Sequence, residues 1–223
     1  MTLTAVLSSP PRQFHPAVVE PSLVDLFERI GVAMTFDADD EIYVQDDQTD
    51  LVYHVLAGAV RSARLLSDGR RQVGGFYYSG DIFGLETAPL RRASAEALAP
   101  TKVLAVRRSA LMHYGDLGQR LESMLWRATG EELAQVRDHL LLVARKRAIE
   151  RIAGFLDDIA QRLTGDWVDL PMARQDIADY LGLTVETVSR TLTHLQAKGI
   201  VQFDGCRRFR IRAPSRLAAL VEG

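Results

Sequence analysis

The pattern of hydrophobic positions divides the chain into parts of different texture. Between about residues 31 and 106, short apolar runs alternate with turn signals roughly every ten residues. The runs are GVAMTF, EIYVQ, LVYHVLAG, AVRSARLL, RQVGGFYY, DIFGLE and KVLAV. Asp68-Gly69 separates two of them, which is a hairpin signal. The pattern predicts a small all-β unit over residues 23–118, after a flexible arm, residues 1–22, that contains four prolines.

A helical pattern replaces the strand pattern after Arg107. Positions suited to a buried seam recur in alternating steps of three and four, as in a coiled coil. The pattern predicts a long helix over residues 119–145 that pairs with a second copy of the chain. A single amphipathic helix packed on its own β unit is the alternative explanation. The predicted dimer contacts are Trp126, Thr129, Leu133, Val136, Leu140 and Val143.

Two short helices joined by a glycine turn are predicted within the C-terminal unit, residues 146–223. The first helix covers residues 175–181, and Gly182 stands where a left-handed residue commonly ends a helix. Thr184 then offers a hydroxyl N-cap to the second helix. Two short strands around Asp204-Gly205 follow, which is typical of a hairpin. Together these elements predict a helix-turn-helix with a wing.

The second helix carries side chains suited to reading bases in double-stranded DNA. Glu186, Ser189 and Arg190 share its outer face at the spacing i, i+3 and i+4. Arginine can donate two hydrogen bonds to guanine, glutamate can accept one from cytosine, and a short hydroxyl can reach a base edge. We therefore predict that these three side chains read bases. The alternative is a structural helical hairpin in which Glu186 and Arg190 form only a surface ion pair.

Charge along the chain supports a polyanionic partner for the C-terminal unit. The net charge is −2, but from Glu186 onward there are seven basic and three acidic residues. Arg207 and Arg208 of the predicted wing are therefore expected to contact phosphates. Cys206 lies beside them, where basic neighbours favour the thiolate. We hypothesise that oxidation of Cys206 adds negative charge near DNA, which would make it a redox switch.

Composition and motifs exclude several other classes of protein. The chain is 47% hydrophobic and 25% charged, as in ordinary globular domains. It contains neither an apolar run of about 18 residues nor a signal-peptide pattern, so we expect a cytoplasmic protein with no membrane partner. A single cysteine excludes an internal disulfide and a cysteine-ligated iron–sulfur cluster within one chain. Zinc-binding, phosphate-loop and nucleophile-elbow motifs are absent, so we predict no enzyme activity and no metal site.

The order of these parts resembles the cyclic-AMP-receptor and fumarate-nitrate-reduction regulator (Crp/Fnr) superfamily. VYHVLAGAV, LLSDGRRQV and GDIFG are similar to its roll, and VETVSR is similar to the recognition motif of the fumarate-nitrate branch. The resemblance implies an α+β fold with an N-terminal, cyclic-nucleotide-binding-like β-roll, a long dimerisation helix and a C-terminal winged helix-turn-helix. It implies a homodimer that binds a TTGAT-N4-ATCAA-like palindrome and works with RNA polymerase. It also implies phosphate contacts from Arg174, Gln175, Thr184 and Thr187.

The predicted roll departs from its nucleotide-binding relatives at the effector pocket. Those relatives need a Gly-Glu pair and an Arg-Ser pair, whereas the aligned residues here are Gly84-Leu85 and Ala93-Ser94. Leucine cannot accept a ribose hydroxyl, and alanine cannot pair with a cyclic phosphate. Arg91 and Arg92 lie nearby in the sequence and could replace the missing arginine.

These departures make the chain similar to the FixK subgroup, whose members are cytosolic activators that need no bound effector. Membership implies activation of genes for microaerobic respiration, with no cofactor, no cyclic nucleotide and no iron–sulfur cluster. The alternative is an effector-gated regulator of the same superfamily. Its ligand would be haem or another small molecule, with haem held by His54, His113 or His139.

Overall fold

Two four-stranded antiparallel sheets form the N-terminal β-roll. The computed structural model describes residues 22–145, 147–163 and 165–222. The sheet orders are β1-β8-β3-β6 and β2-β7-β4-β5, and residues from both sheets share one buried core. The predicted hairpin at Asp68-Gly69 joins β4 to β5, and Gly69 adopts a positive φ of 82°. The strands are β1 Val32–Phe36, β2 Glu41–Tyr43, β3 Leu51–Ala57, β4 Ala59–Leu65, β5 Arg71–Tyr78, β6 Ile82–Phe83, β7 Ser94–Ala97 and β8 Thr101–Arg107.

A short helix precedes the roll in the sequence, and a 3-10 helix and a long helix follow it. Helix α1, Leu23–Ile30, was not predicted; the Ser22 hydroxyl caps it, and its apolar face packs on the roll and the long helix. The predicted arm, residues 1–22, lies outside the described residues apart from Ser22. A 3-10 helix, Arg108–Tyr114, leads into the long helix α2, Gly115–Arg145, which therefore begins before the predicted residue 119. Its first turns are anchored because Leu121 is fully buried.

The C-terminal part of the chain is a winged helix-turn-helix, called here the winged domain. Its small sheet has the order β10-β11-β9. Gly182, with φ 63°, ends the first helix of the helix-turn-helix. The Thr184 hydroxyl accepts a hydrogen bond from the Thr187 backbone amide at the start of the second helix. Both predicted helix boundaries are thus present. The elements are α3 Ala148–Arg162, β9 Val168–Asp169, α4 Arg174–Leu181, α5 Val185–Ala197, β10 Val201–Asp204, β11 Arg208–Ile211 and α6 Pro214–Glu222.

One hydrophobic core continues from the roll into the winged domain. It combines buried side chains of β4 and β5 with those of α3, α4 and α5. The ring of Phe76 on β5 lies 6.2 Å from the ring of Phe155 on α3 and 5.2 Å from that of Tyr180 on α4, measured between centroids. This shared core fixes how the winged domain sits on the roll. Among the described helices, α2 included, none is both long and apolar enough to span a bilayer.

Candidate nucleic-acid interface

Helix α5 presents the three predicted base-reading side chains on the face opposite its core. Val188 and Leu192 are buried on the inner face. Glu186 and Arg190 are exposed on the outer face, and Ser189 between them is half-buried. Within the described residues, no ion pair joins Glu186 to Arg190. The structure therefore does not support the alternative in which these two side chains serve only as a surface ion pair.

The carboxyl group of Glu186 is held in its ionised form. Its own backbone amide and the Thr184 hydroxyl lower the pKa of Glu186 below its ordinary value, with a smaller effect from the Arg190 guanidinium. An ionised carboxylate accepts hydrogen bonds and donates none. Glu186 is thus matched to an amino group at a base edge, whereas a carbonyl oxygen there would be repelled.

The predicted phosphate contacts gather near the N-terminal turns of α4 and α5. Gln175, Thr184 and Thr187 line the same surface cleft, and Arg174 is the first residue of α4. The Thr184 and Thr187 hydroxyl oxygens are 3.1 Å apart, and Gln175 donates to Asp179 over 2.7 Å. Helix N-termini favour anions because their first amides lack partners within the helix. The arrangement places neutral donors and one arginine where a DNA backbone can approach two helix ends.

The predicted wing is present as the β10–β11 hairpin, and its two arginines differ in surroundings. Gly205 in the turn has φ 64°, and Cys206 beside it is exposed. Arg208 packs over the Trp167 ring, 5.4 Å from its centroid, and lies within 4.0 Å of two carboxylates. Arg207 is exposed and, in the described part of the chain, forms no ion pair. Arg207 is therefore the more available cation, a difference that the sequence alone could not reveal.

Helix α2 carries an apolar stripe that the described part of the chain leaves exposed. The stripe consists of four of the six predicted contacts. The fifth, Thr129, is half-buried and donates its hydroxyl to the Leu125 carbonyl oxygen, and Val143 is also half-buried, near Gly182. Packing on the roll explains the buried Leu121 and Leu125 but not this stripe. Its exposed fractions are 70% for Trp126, 50% for Leu133, 52% for Val136 and 65% for Leu140.

The interior of the roll is filled by aromatic side chains of the protein itself. The ring of Tyr53 stacks on the ring of Phe83 at 4.9 Å and on that of Tyr43 at 5.7 Å. Leu85, aligned with the glutamate of nucleotide-binding relatives, is buried in an apolar cluster. The Ser94 hydroxyl accepts the Gln45 amide. A ribose finds no acceptor at Leu85, so this part of the roll does not fit a cyclic nucleotide.

Of the two arginines that could replace the missing phosphate ligand, Arg92 is exposed and Arg91 is already paired. Arg91 is 1% exposed, and it donates to a Glu86 carboxylate oxygen over 2.8 Å and to the Leu51 carbonyl oxygen. Its guanidinium also packs over the Tyr43 ring, 4.1 Å from the centroid. An anionic ligand would have to displace Glu86, because a second negative charge beside the buried guanidinium would be uncompensated. Sequence reasoning missed Glu86, since a half-buried carboxylate paired within the fold leaves no spacing pattern.

A hydrogen bond joins the roll to the long helix at the edge of this interior. The Tyr77 hydroxyl on β5 donates to a Glu132 oxygen on α2 over 2.8 Å. Burial raises the pKa of Glu132 above its ordinary value, while the bond from Tyr77 opposes that shift. The contact ties the two elements together through side chains of the chain itself. Glu132 was also missed from the sequence, because it lies outside the seam positions.

The three histidines considered for haem lie on three different elements. His54 is buried on β3, where burial lowers its pKa, and His113 lies in the 3-10 helix. His139 on α2 stacks on Tyr180 with 4.0 Å between the ring centroids. Among the described residues, no three side chains of the histidine, cysteine or carboxylate types are grouped to hold a metal ion. His54 and His139 pack against aromatic rings, whereas His113 is exposed.

The fold and this surface define a DNA-binding transcription regulator with a roll, a long helix and a winged helix-turn-helix. The Crp-like helix-turn-helix domain family matches residues 150–220, and the cyclic nucleotide-binding domain family matches residues 33–114. The chain belongs to the Crp/Fnr family and, within it, is FixK-like.

Individual relatives place the chain in that subgroup. The nitrogen fixation regulation protein FixK of Azorhizobium caulinodans is 41% identical over 198 residues, which cover 86% of this chain and 79% of that protein. FixK of Rhizobium meliloti is 43% identical over 182 residues, which cover 81% and 82%. The solved structure of FixK2 from Bradyrhizobium japonicum matches with a TM-score of 0.81 and 45% identity, covering 86% of this chain and 97% of that one.

Proposed function

We propose that the protein is a homodimeric transcription activator that binds a TTGAT-N4-ATCAA-like palindrome without a cyclic nucleotide or iron–sulfur cluster. It acts in the cytoplasm with RNA polymerase and activates genes for microaerobic respiration. One observation carries the proposal: the outer face of α5 presents Glu186, Ser189 and Arg190 with no ion pair between the two charged groups. The FixK relatives are nitrogen fixation regulation proteins, which supports the same type of regulator.

The exposed stripe of α2 supports a second copy of the chain as the dimer partner. Its apolar positions from Trp126 to Leu140 follow a heptad pattern, which suits pairing with an identical helix. In a symmetric dimer the two α5 helices would enter successive major grooves about 34 Å apart. Two half-sites in inverted orientation, one helical turn apart, follow from that symmetry.

The proposed half-site gives specific partners to the charged residues of α5. TTGAT paired with ATCAA contains a single G·C base pair. Glu186 accepts from the cytosine amino group of that pair, and Arg190 donates to guanine O6 and N7. Because the two residues are one helical turn apart on one face, both can reach the same base pair. Ser189 is left to a neighbouring A·T pair, where its small side chain allows close approach to a thymine methyl group.

The phosphate contacts position this reading face on the duplex. Arg174, Gln175, Thr184 and Thr187 hold phosphates at the helix N-termini. On the wing, Arg207 contributes more than Arg208, because Arg208 lies among carboxylates and against Trp167. These contacts carry affinity and its salt dependence, and base preference rests on α5.

Titration of the purified protein with DNA tests the proposed function. Under reducing conditions, without added ligand and at fixed salt, we expect nanomolar binding to the TTGAT-N4-ATCAA duplex. A scrambled duplex of the same composition should bind at least about a thousandfold more weakly. Equal binding of the two duplexes would contradict the half-site. Specific binding that appears only after addition of cell extract would contradict effector independence.

Cys206 supports a redox proposal because it is exposed at the tip of the wing. Two equivalents of peroxide convert its thiol to a sulfinic acid and release two molecules of water, which adds a negative charge beside the DNA phosphates. We expect the oxidised protein to bind the palindrome about tenfold more weakly. The Cys206→Ser variant, treated identically, should not change. Unchanged wild-type affinity, with oxidation confirmed by mass, would show that the cysteine plays no such role.

A further inference from the structure

The roll holds the first helix of the reading motif through a buried cluster of ion pairs. Arg61 on β4 and Arg71 on β5 both donate to one oxygen of Asp176 on α4, over 2.8 and 2.6 Å. Arg71 also donates to Asp179 over 2.8 Å, and Arg61 also pairs with Glu96 on β7. The Asp176 side chain is only 3% exposed. We call Arg61, Arg71, Asp176 and Asp179 the arginine clamp.

The clamp acts on the part of α4 that faces DNA. The second oxygen of Asp176 accepts the Ala173 amide and thereby caps the first turn of α4. Asp179 accepts Gln175, a proposed phosphate contact, with the oxygen that does not bind Arg71. A continuous set of hydrogen bonds therefore runs from the β4–β5 hairpin of the roll to a side chain at the DNA surface.

The clamp sits beside the apolar contact between the two domains. The rings of Phe76 on β5 and Tyr180 on α4 pack together there, and the ion pair of Arg71 with Asp179 joins the same two elements. Apolar packing alone tolerates sliding, whereas two guanidinium groups on one buried carboxylate fix an orientation. Loss of either arginine would leave the buried Asp176 carboxylate with one guanidinium partner instead of two, so the contact would loosen or shift.

We propose that Arg61 and Arg71 are positioning residues for DNA recognition, which hold α4, and with it α5, in the orientation that reads DNA without any ligand. This inference rests on the proposed function, because it supplies the fixed geometry that ligand-free binding requires. The arginines touch no DNA; they act through Asp176 and Asp179.

A pair of matched charge removals gives the first test. Arg71→Met removes one positive charge from β5, and Arg64→Met removes one from an exposed position on the neighbouring strand β4. The two variants change the long-range attraction to DNA similarly, but only the first breaks the clamp. We expect Arg71→Met to weaken palindrome binding about tenfold and Arg64→Met to change it less than about twofold. Equal effects of the two substitutions would overturn the proposal.

Reversing the charge of Asp179 separates the clamp from long-range attraction to DNA, because the two predict opposite changes in DNA affinity. Asp179→Arg adds positive charge near DNA, so attraction alone predicts tighter binding; the clamp predicts binding about tenfold weaker, because Arg71 is then repelled. Tighter binding by Asp179→Arg would refute the clamp.

Hydrogen exchange of the DNA-free full-length protein separates this inference from the proposed function. Amides of α4 should exchange faster in Arg71→Met and in Asp179→Arg than in the wild type. Arg64→Met should leave them unchanged. Because no DNA is present, hydrogen exchange tests the clamp even if the wild type shows no preference for the palindrome. Unaltered exchange in Arg71→Met would mean that the arginines do not hold α4.

Discussion

Val136→Asp should convert the protein into a monomer and abolish tight binding to the palindrome. Val136 lies at the centre of the exposed α2 stripe and is half exposed in the single chain. An aspartate there disturbs the isolated fold by less than about 0.5 kcal/mol, as is usual for surface positions. In the dimer the same carboxylate is buried against its symmetry copy, where two desolvated like charges oppose association.

The loss of DNA affinity should be large because the two half-sites then bind independently. Linking two binding events typically strengthens binding by about 10²- to 10⁴-fold, and this gain disappears in a monomer. Sedimentation measures the mass of the protein, and titration with a whole palindrome and a single half-site measures the gain. Ala134→Asp, exposed on α2 but outside the seam, is the matched control and should remain dimeric. A dimeric Val136→Asp protein with wild-type DNA affinity would refute the proposal that the α2 stripe is the dimer interface.

Local signals in the sequence were sufficient for the reading motif. The positive φ of Gly182 and the cap at Thr184 depend on residues adjacent in sequence, so the helix boundaries followed from residue type. The same holds for the hairpins at Gly69 and Gly205. The period of the α2 stripe predicted which positions face away from the chain, and Trp126 is indeed mostly exposed.

Contacts between distant segments could not be predicted in this way. Arg61 and Asp176 are separated by 115 positions, and both look like ordinary surface residues of a strand and a short helix. The pairing of Arg91 with Glu86 was equally hidden, because only the folded roll shows that the arginine is buried and occupied. Helix α1 was missed, since its eight residues adjoin a proline-rich arm and lack a long periodic pattern. Such features depend on tertiary packing, which overrides local propensity.

The roll has the fold of a cyclic nucleotide-binding domain but a pocket filled by its own side chains. Residues 33–114 match the cyclic nucleotide-binding domain family. Its interior, however, is closed by Tyr53, Phe83 and the Arg91–Glu86 pair. The bond between Tyr77 and Glu132, and the arginine clamp, connect the roll to the helix and to the winged domain with side chains alone. These internal contacts are the structural basis for the proposal that the protein binds DNA without an effector.

Glu186→Ala should remove preference for one base pair while leaving the rest of the site intact. Glu186 is assigned in the proposal to the cytosine of the single G·C pair in each half-site, and its backbone amide and the Thr184 hydroxyl lower the pKa of its carboxyl below the ordinary value. We expect the palindrome to lose about 1–3 kcal/mol of binding free energy per half-site in this variant. Replacing that G·C pair by A·T in the DNA should reduce the binding free energy of the wild type by a similar amount. The same DNA change should reduce the binding free energy of Glu186→Ala much less.

This combination of protein and DNA changes forms a double-mutant cycle whose coupling energy isolates the contact. Arg207→Ala is the contrasting variant, because a phosphate contact carries no base information. It should weaken the original and the substituted duplex equally and reduce the salt slope by about one unit. A uniform loss for Glu186→Ala across both duplexes would place Glu186 among the positioning residues. The base preference would then have to come from Arg190 and Ser189, the other two side chains on that face of α5.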